Sequence, residues 1–377
     1  MKIGITCYPT YGGSGAVATE LGLALAGRGH EVHFISYDQP FRLGGFLRER
    51  VFFHEVEMED YPLFEHPPYA LALAVALHDT ALKEGLDLVH MHYAIPHAVS
   101  AYLAKQMLAT ERQLKIVTTL HGTDITLVGL HPSFHAITRF SILESDGLTA
   151  VSNYLKDQTV RDFSVPQSRI EVIPNFIDTE VWRPGRVPCH REKLAPGGEK
   201  IVMHISNFRA VKRVGDVVEI FLRIQRKVPA RLVLVGDGPE RPRVLQRAAE
   251  LGLQDKVLFL GKHASVDELL SCADLFLLPS EKESFGLAAL EAMACGAPVV
   301  ASSVGGLPEV IDHEETGFLF DVGAVDEMAE AGVRLLSDDV LHGRVAEAAR
   351  ATAVERFSAR SVVPLYEALY ERVIGGQ

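Results

Sequence analysis

The chain is poor in cysteine, has a single tryptophan, contains no long apolar run and carries no excess of positive charge. Each shortage removes a class of protein. Its four cysteines, Cys7, Cys189, Cys272 and Cys295, are scattered without a C-x-x-C pair. They fit a reducing compartment, and neither a disulfide framework nor a zinc site is expected of them. No apolar stretch approaches bilayer-spanning length, and MKIGITCYPT has no basic segment followed by an apolar one. The expectation is a cytoplasmic chain without integral membrane association. A formal charge of −12 argues against a nucleic-acid-binding surface but leaves room for a local basic pocket that holds a small anion. At 377 residues the chain exceeds one typical core, so two domains are expected.

Short apolar runs alternate with helical patterns throughout. KIGITCY, EVHFISY, DLVHMHY, KIVTTLH and GLTAVS read as strands, with AVATELGLALAGRGH, YALALAVALHDTALKEG and HAVSAYLAKQML as helices between them. After IPNFIDTEVWRPGRVPCHREKLAPGGEK, a Pro-, Gly- and charge-rich linker holding the only Trp, the pattern restarts with IVMHISN, RLVLVGD, KVLFLG, LFLLPS, PVVASS and GFLFD. Near-continuous apolar strands joined by helices imply parallel sheets covered on both faces. The expected architecture is α/β, with two Rossmann-like domains facing across a cleft. Ligands of such sheets bind beyond the carboxyl ends of the strands, and polar clusters stand at those positions here.

PTYGGSGAVATE follows the first strand. Gly12, Gly13 and Gly15 permit close backbone approach, and a helix N-terminus offers N–H groups to an anion. Gly13 to Ala18 also satisfies G-x-G-x-x-A, which invites a dinucleotide-binding oxidoreductase with Asp38 as the ribose acid, although a loop intervenes where that fingerprint is tight. A metal site from His90, His92 and His97 lacks a carboxylate or cysteine to complete it. His121 is singled out among strand-end histidines because Thr119, Gly122 and Thr123 surround it. In the second half, ISNFRAVKR sets Arg209, Lys212 and Arg213 after a strand, where cations would meet phosphate. Gly236-Asp237-Gly238-Pro239 forms a turn open to another backbone.

The stretch ESFGLAALEAMACGAPVV carries Glu283 and Glu291 across a loop-to-helix junction. N–H groups near Gly286 and Leu287 can hold a phosphate. Glu291 stands among Leu, Ala and Met, where a carboxylate is costly unless it accepts hydrogen bonds, such as the two a ribose diol supplies. Glu283 would reach a second polyol part of the same ligand, so the spacing fits a nucleoside diphosphate sugar.

Together the glycine-rich loop, HGTD, IPNFID, the basic loop, VGDGP and Glu-x(7)-Glu resemble the retaining, nucleotide-sugar-dependent glycosyltransferases of family four, over essentially the whole chain. That resemblance implies the GT-B fold: an acceptor domain over 1–174, a nucleotide-sugar domain over 175–356, and a last helix in 357–377 crossing back to the first. It implies a donor site of Gly13, Asn207, Arg209, Lys212, Gly236, Lys262, Glu283, Ser284, Phe285, Gly286, Leu287 and Glu291. Within it, Glu291 would take ribose, Glu283 the sugar, and the Gly286–Leu287 backbone the diphosphate. His121, Glu283, Lys212 and Arg209 would carry the reaction. The family's usual arginine five residues before the basic-loop lysine is Asn207 here, with Arg209 expected to supply the cation. Many sugar transferases hold the diphosphate through a metal on an Asp-x-Asp pair. The chain has no such pair, so no metal or other cofactor is expected.

CYPTYGGSGAVATELGLALAGRGHEVHFI, PFRL, HMHYAIPHA, TTLHGTDITLVG and ISNFRAVKRV are similar, more narrowly, to the synthases that join N-acetylglucosamine to malate in bacillithiol biosynthesis. That resemblance implies UDP-N-acetylglucosamine and L-malate as partners, with Ser14, Tyr93, Thr119 and Asn153 around the acceptor. Another small or lipid-linked acceptor remains the alternative within the class. A nucleotide-sugar sensor without turnover and the dinucleotide oxidoreductase are the alternatives outside it.

Overall fold

The computed structural model describes residues 1–10, 12–44, 48–59, 65–186, 189–263 and 265–376. Tyr11 of the glycine-rich loop and Val187 and Pro188 of the linker lie outside the described residues. The chain divides into two compact units, Met1–Phe176 with Ala359–Gln377, and Ile177–Ser358.

The first unit holds a seven-stranded sheet of β1 (Lys2–Thr6), β2 (Glu31–Ser36), β3 (Val51–Glu55), β4 (Leu88–His92), β5 (Lys115–Leu120), β6 (Gly147–Ala150) and β7 (Glu171–Val172). Their spatial order is β3-β2-β1-β4-β5-β6-β7, and every pairing is parallel. The central strands are buried beyond their first residue, and β4 along its whole length, because helices cover both faces. β3 and β7 go beyond the strands the sequence pattern marks. β3 is a half-exposed edge strand and β7 has two residues, so neither shows the apolar run that burial on both faces demands. The final helix, Ala359–Gly375, belongs to this unit and buries Tyr366 and Tyr370.

The second unit holds β8 (Lys200–Ile205), β9 (Ala230–Val235), β10 (Val257–Gly261), β11 (Leu275–Leu278), β12 (Val299–Ser302) and β13 (Phe318–Phe320), in the order β10-β9-β8-β11-β12-β13. All six strands match runs read from the sequence. The stretch read as a linker is packed into this unit rather than left free. Trp182 is buried, and Arg350 donates to the carbonyls of Trp182, Ala294 and Thr179. Arg191 grips Asp274 at 2.6 Å.

The cysteines are not all free thiols, contrary to the expectation from their scattered spacing. Cys189 and Cys272 form a disulfide across a sequence separation of 83, and only Cys7 and Cys295 are free. Folding brings the two together by seating the linker against the turn before β11, a proximity that no local spacing announces. No helix among the described residues is long and apolar enough to cross a membrane.

Two predictions follow from this packing. Closing a loop of that length constrains the unfolded chain, so Cys272→Ser should lower stability by roughly 2–5 kcal/mol in denaturant titrations. Thiol titration of the unfolded, unreduced protein should find Cys7 and Cys295 alone; four reactive thiols would contradict the bond. The second concerns pH. Burial lowers His90 to about 3, His97 to about 4 and His92 well below its usual value. The unfolded chain therefore binds more protons than the folded one as pH falls from about 6.5 towards 4, at about 1.4 kcal/mol per pH unit for each. Asp124, raised to about 6 by burial, acts in the opposite sense between about 6 and 3.8 and offsets one of them. The melting temperature of the first unit should fall through this window. A flat profile from pH 7 to 4 would contradict the neutral buried imidazoles.

Candidate active site

In the second sheet the chain leaves central β8 towards β9 and returns on its other side at β11. The loops after β8 and β11 therefore diverge and leave a crevice at the carboxyl ends. Both loops carry the polar motifs. Lys212 Nζ lies 2.5 Å from Glu283 Oε1, and Ser280 donates to the same oxygen at 3.0 Å. Glu281 N donates to the Val211 carbonyl at 2.8 Å, tying the loops backbone to backbone. The side chains of Lys212 and Glu283 are only 20% and 11% exposed, so this pair is partly desolvated and less screened than a surface bridge. Beneath it, His204 donates from Nδ1 to the Leu277 carbonyl and accepts from Ser206 at Nε2, linking β8 to β11. Burial holds His204 down at about 4, so it is neutral.

Two close backbone approaches fix these loops. A Cβ on Gly236 (φ 120°) would sit 1.8 Å from the Ser206 carbonyl, and one on Gly305 (φ 58°) 1.7 Å from the Glu283 carbonyl. Only glycine fits either place. Phe285 is buried edge-on against Phe357, and Gly286, left-handed at φ 98°, opens the helix Leu287–Ala294. The first N–H groups of that helix have no acceptor within it. Glu291 lies inside it, 5% exposed among alanines, Leu290 and Met293. Together with burial it pushes the Cys295 thiol up to about 12.

The remaining second-unit candidates are distributed unevenly. Asn207 and Arg209 are exposed on the loop after β8, and among the described residues Arg209 makes no salt bridge. Arg213 is engaged with Asp216 at 2.7 Å. Lys262 is exposed after β10, an edge strand two places from β8. Ser284 lies between Glu283 and Phe285 on the loop after β11.

The first sheet has its own divergence between β1 and β4. The helix Gly13–Gly27 begins after the β1 loop, and Ser14 Oγ lies 3.2 Å from Tyr93 Oη, which follows β4. Thr119 is buried, with its hydroxyl 2.7 Å from both His90 Nε2 and Thr149 Oγ1. That side chain is therefore turned into the core, where Tyr370 bonds the other nitrogen of His90 at 2.7 Å. Both nitrogens of His90 are thus engaged and His97 Nδ1 donates to the His92 carbonyl. Among the described residues no three His, Cys, Asp or Glu side chains are placed to hold a metal ion. Asn153 is exposed at the start of the helix Asn153–Phe163, whose N-cap Ser152 accepts from Leu155 N.

His121 is part-buried after β5, its Nε2 2.9 Å from His92 Nδ1, and burial lowers it to about 3. At neutral pH it is an uncharged imidazole that can donate or accept one hydrogen bond. Asp124 accepts from the backbone N–H groups of Ala94 at 3.0 Å, Gly122 at 2.9 Å and His121 at 3.3 Å. Asp124 of HGTD, Ser280 and Gly305 join these residues without a motif chemistry that singles them out; they lie in the loops that follow β5, β11 and β12.

The chain matches the group 1 glycosyl transferases over residues 188–352 and glycosyltransferase family 4 over residues 11–181. It is 50% identical over 99% of its length to the N-acetyl-alpha-D-glucosaminyl L-malate synthase of Bacillus anthracis, covering 97% of that protein. Sucrose-phosphate synthase from Thermosynechococcus elongatus has the same fold (TM-score 0.81, 23% identity, all of both chains). So does Anabaena HepE in complex with UDP and glucose (TM-score 0.78, 20% identity, 98% of this chain and 99% of that one). The two parallel-sheet Rossmann-like units, the motif positions and the full-length identity agree, and the chain belongs to the family-four, group 1 glycosyltransferases of GT-B fold.

Proposed function

We propose that this glycosyltransferase moves N-acetylglucosamine from UDP-N-acetylglucosamine to the hydroxyl of L-malate, with retention of configuration at the anomeric carbon. The observation that carries the reading is the half-identical match to the Bacillus anthracis synthase along nearly the whole of both chains. The crevice residues are chemically suited to it. Glu291, buried in an apolar helix, takes the ribose diol, and the N-terminus of that helix receives the diphosphate. Glu283 keeps one oxygen on Lys212 and Ser280 and offers the other to a hydroxyl of the transferred sugar. Lys212 and Arg209 face the charge that grows on UDP as it leaves.

The reaction runs on one face of the sugar. The bond from the anomeric carbon to the diphosphate oxygen lengthens, the malate hydroxyl oxygen bonds to that carbon from the same side, and its proton passes to the departing phosphate oxygen. His121, neutral at physiological pH, positions the donor sugar and does not serve as a strong base. Ser14, Tyr93 and Asn153 surround the acceptor, and Thr119 supports them from the core. With no Asp-x-Asp pair to bind a metal, the same reading makes turnover independent of divalent cations.

UDP release should be stimulated by L-malate and hardly at all by succinate, which lacks the attacking hydroxyl. Stimulation by a lipid carrier or a polyol instead of malate would overturn the acceptor. Glu291→Gln should weaken donor binding and Glu283→Gln should lower turnover more, each by roughly 1.5–3 kcal/mol for a lost charge-assisted bond. Wild-type behaviour of both would remove them from the site. Lys212→Ala should reduce kcat on the order of 10²–10³ while changing donor KM less, because its interaction strengthens towards the transition state. Arg209→Ala should behave similarly if it supplies the cation absent at Asn207. Activity should persist in EDTA; loss in EDTA restored by magnesium would refute the metal-free route.

A further inference from the structure

We infer that Asp124 is a positioning residue that sets the acceptor loop and the His121 loop from a single carboxylate; the inference rests on the malate-transfer reading above. The geometry is specific. Asp124 is fully enclosed at 1% exposure, and its two oxygens serve different loops. Oδ2 accepts from Ala94 N, just after Tyr93, while Oδ1 accepts from Gly122 N and His121 N.

What it holds on the first side is strained. Tyr93 has φ 120° and ψ 137°, a region that a residue with a Cβ occupies only when its surroundings enforce it. Its N–H donates to the Thr119 carbonyl at 3.1 Å, and the next N–H in the chain is the one Asp124 takes. Those two bonds bracket the strained residue and aim its hydroxyl at Ser14. On the second side, Gly122 has φ 121°, and its N–H together with that of His121 points at the carboxylate. The imidazole of His121 is held separately by His92. An ionised carboxylate can accept at both oxygens at once. An amide of the same shape has one acceptor and would turn N–H groups towards a backbone N–H on its other side. Asp124→Asn therefore keeps the volume and releases one loop.

The expected result is a split in the kinetics. A misplacement near 1 Å can lower rate about 10²-fold, so kcat/KM for malate should fall by about that factor in Asp124→Asn, with malate KM raised about 10-fold. Donor KM should change less than malate KM, by no more than about threefold, since Glu291 and Glu283 lie in the other unit and only the His121 contact to the donor sugar is affected. A purely structural role would lower the active fraction, cutting apparent kcat with both KM values unchanged, and that outcome would overturn the inference. Hydrogen exchange gives a readout independent of the acceptor. In the wild-type chain the Ala94 and Gly122 amides should be protected, and in Asp124→Asn segments 92–98 and 120–125 should exchange faster. Unprotected amides in the wild type, or unchanged exchange in the variant, would refute the placement even if Asp124→Asn folds poorly. If wild-type protein fails to use malate while the exchange result holds, the acceptor reading fails and the carboxylate clamp stands.

Discussion

The ion pair between Lys212 and Glu283 depends on one topological fact, the reversal of strand order at β8. Because the chain runs to β9 on one side and returns to β11 on the other, two loops must part there, and each brings one charge to the gap. Partial burial makes that contact strong enough to organise its neighbours: Ser280 shares the carboxylate oxygen and Glu281 ties its backbone to Val211. Gly305 lets a third loop close over Glu283, where any side chain would collide with its carbonyl. Removing either charge would leave the other partly buried without its counter-charge, so the pair contributes to the packing of the crevice.

The first unit repeats the device with weaker bonds. Its reversal lies between β1 and β4, and the contact across it is between hydroxyls, Ser14 and Tyr93. Charge is used one layer down, where Asp124 gathers three backbone N–H groups in a dry setting. Burial raises it to about 6 even though those N–H groups favour the ionised form. The histidines behind the strand ends are neutral and hydrogen-bonded into the core, reaching Tyr370 of the final helix. The polar strand ends of this unit are thus backed by a buried polar network rather than by an apolar core alone.

Much of this was legible in the sequence because parallel strands buried on both faces spell themselves as apolar runs. β8 to β13 all appear that way, and the motifs fall where such strands end. β3 and β7 did not, since an exposed edge and a two-residue bridge lack the pattern. The setting of Glu291, a carboxylate buried in an apolar helix, was legible from the residues around it. At Thr119, near the carboxyl end of β5, the strand pattern does not show which way the hydroxyl turns, and it bonds His90 and Thr149 in the core. The disulfide was hidden for a different reason. Cys189 and Cys272 meet only after the linker has packed, and composition alone had argued for free thiols.

The proposed reaction forms a glycosidic bond to malate on the face from which UDP departs. Proton NMR of the reaction of UDP-N-acetylglucosamine with L-malate tests it in one measurement. An α-linked N-acetylglucosaminyl malate should accumulate in step with UDP. A β-linked product, or free N-acetylglucosamine as the only sugar released, would contradict it.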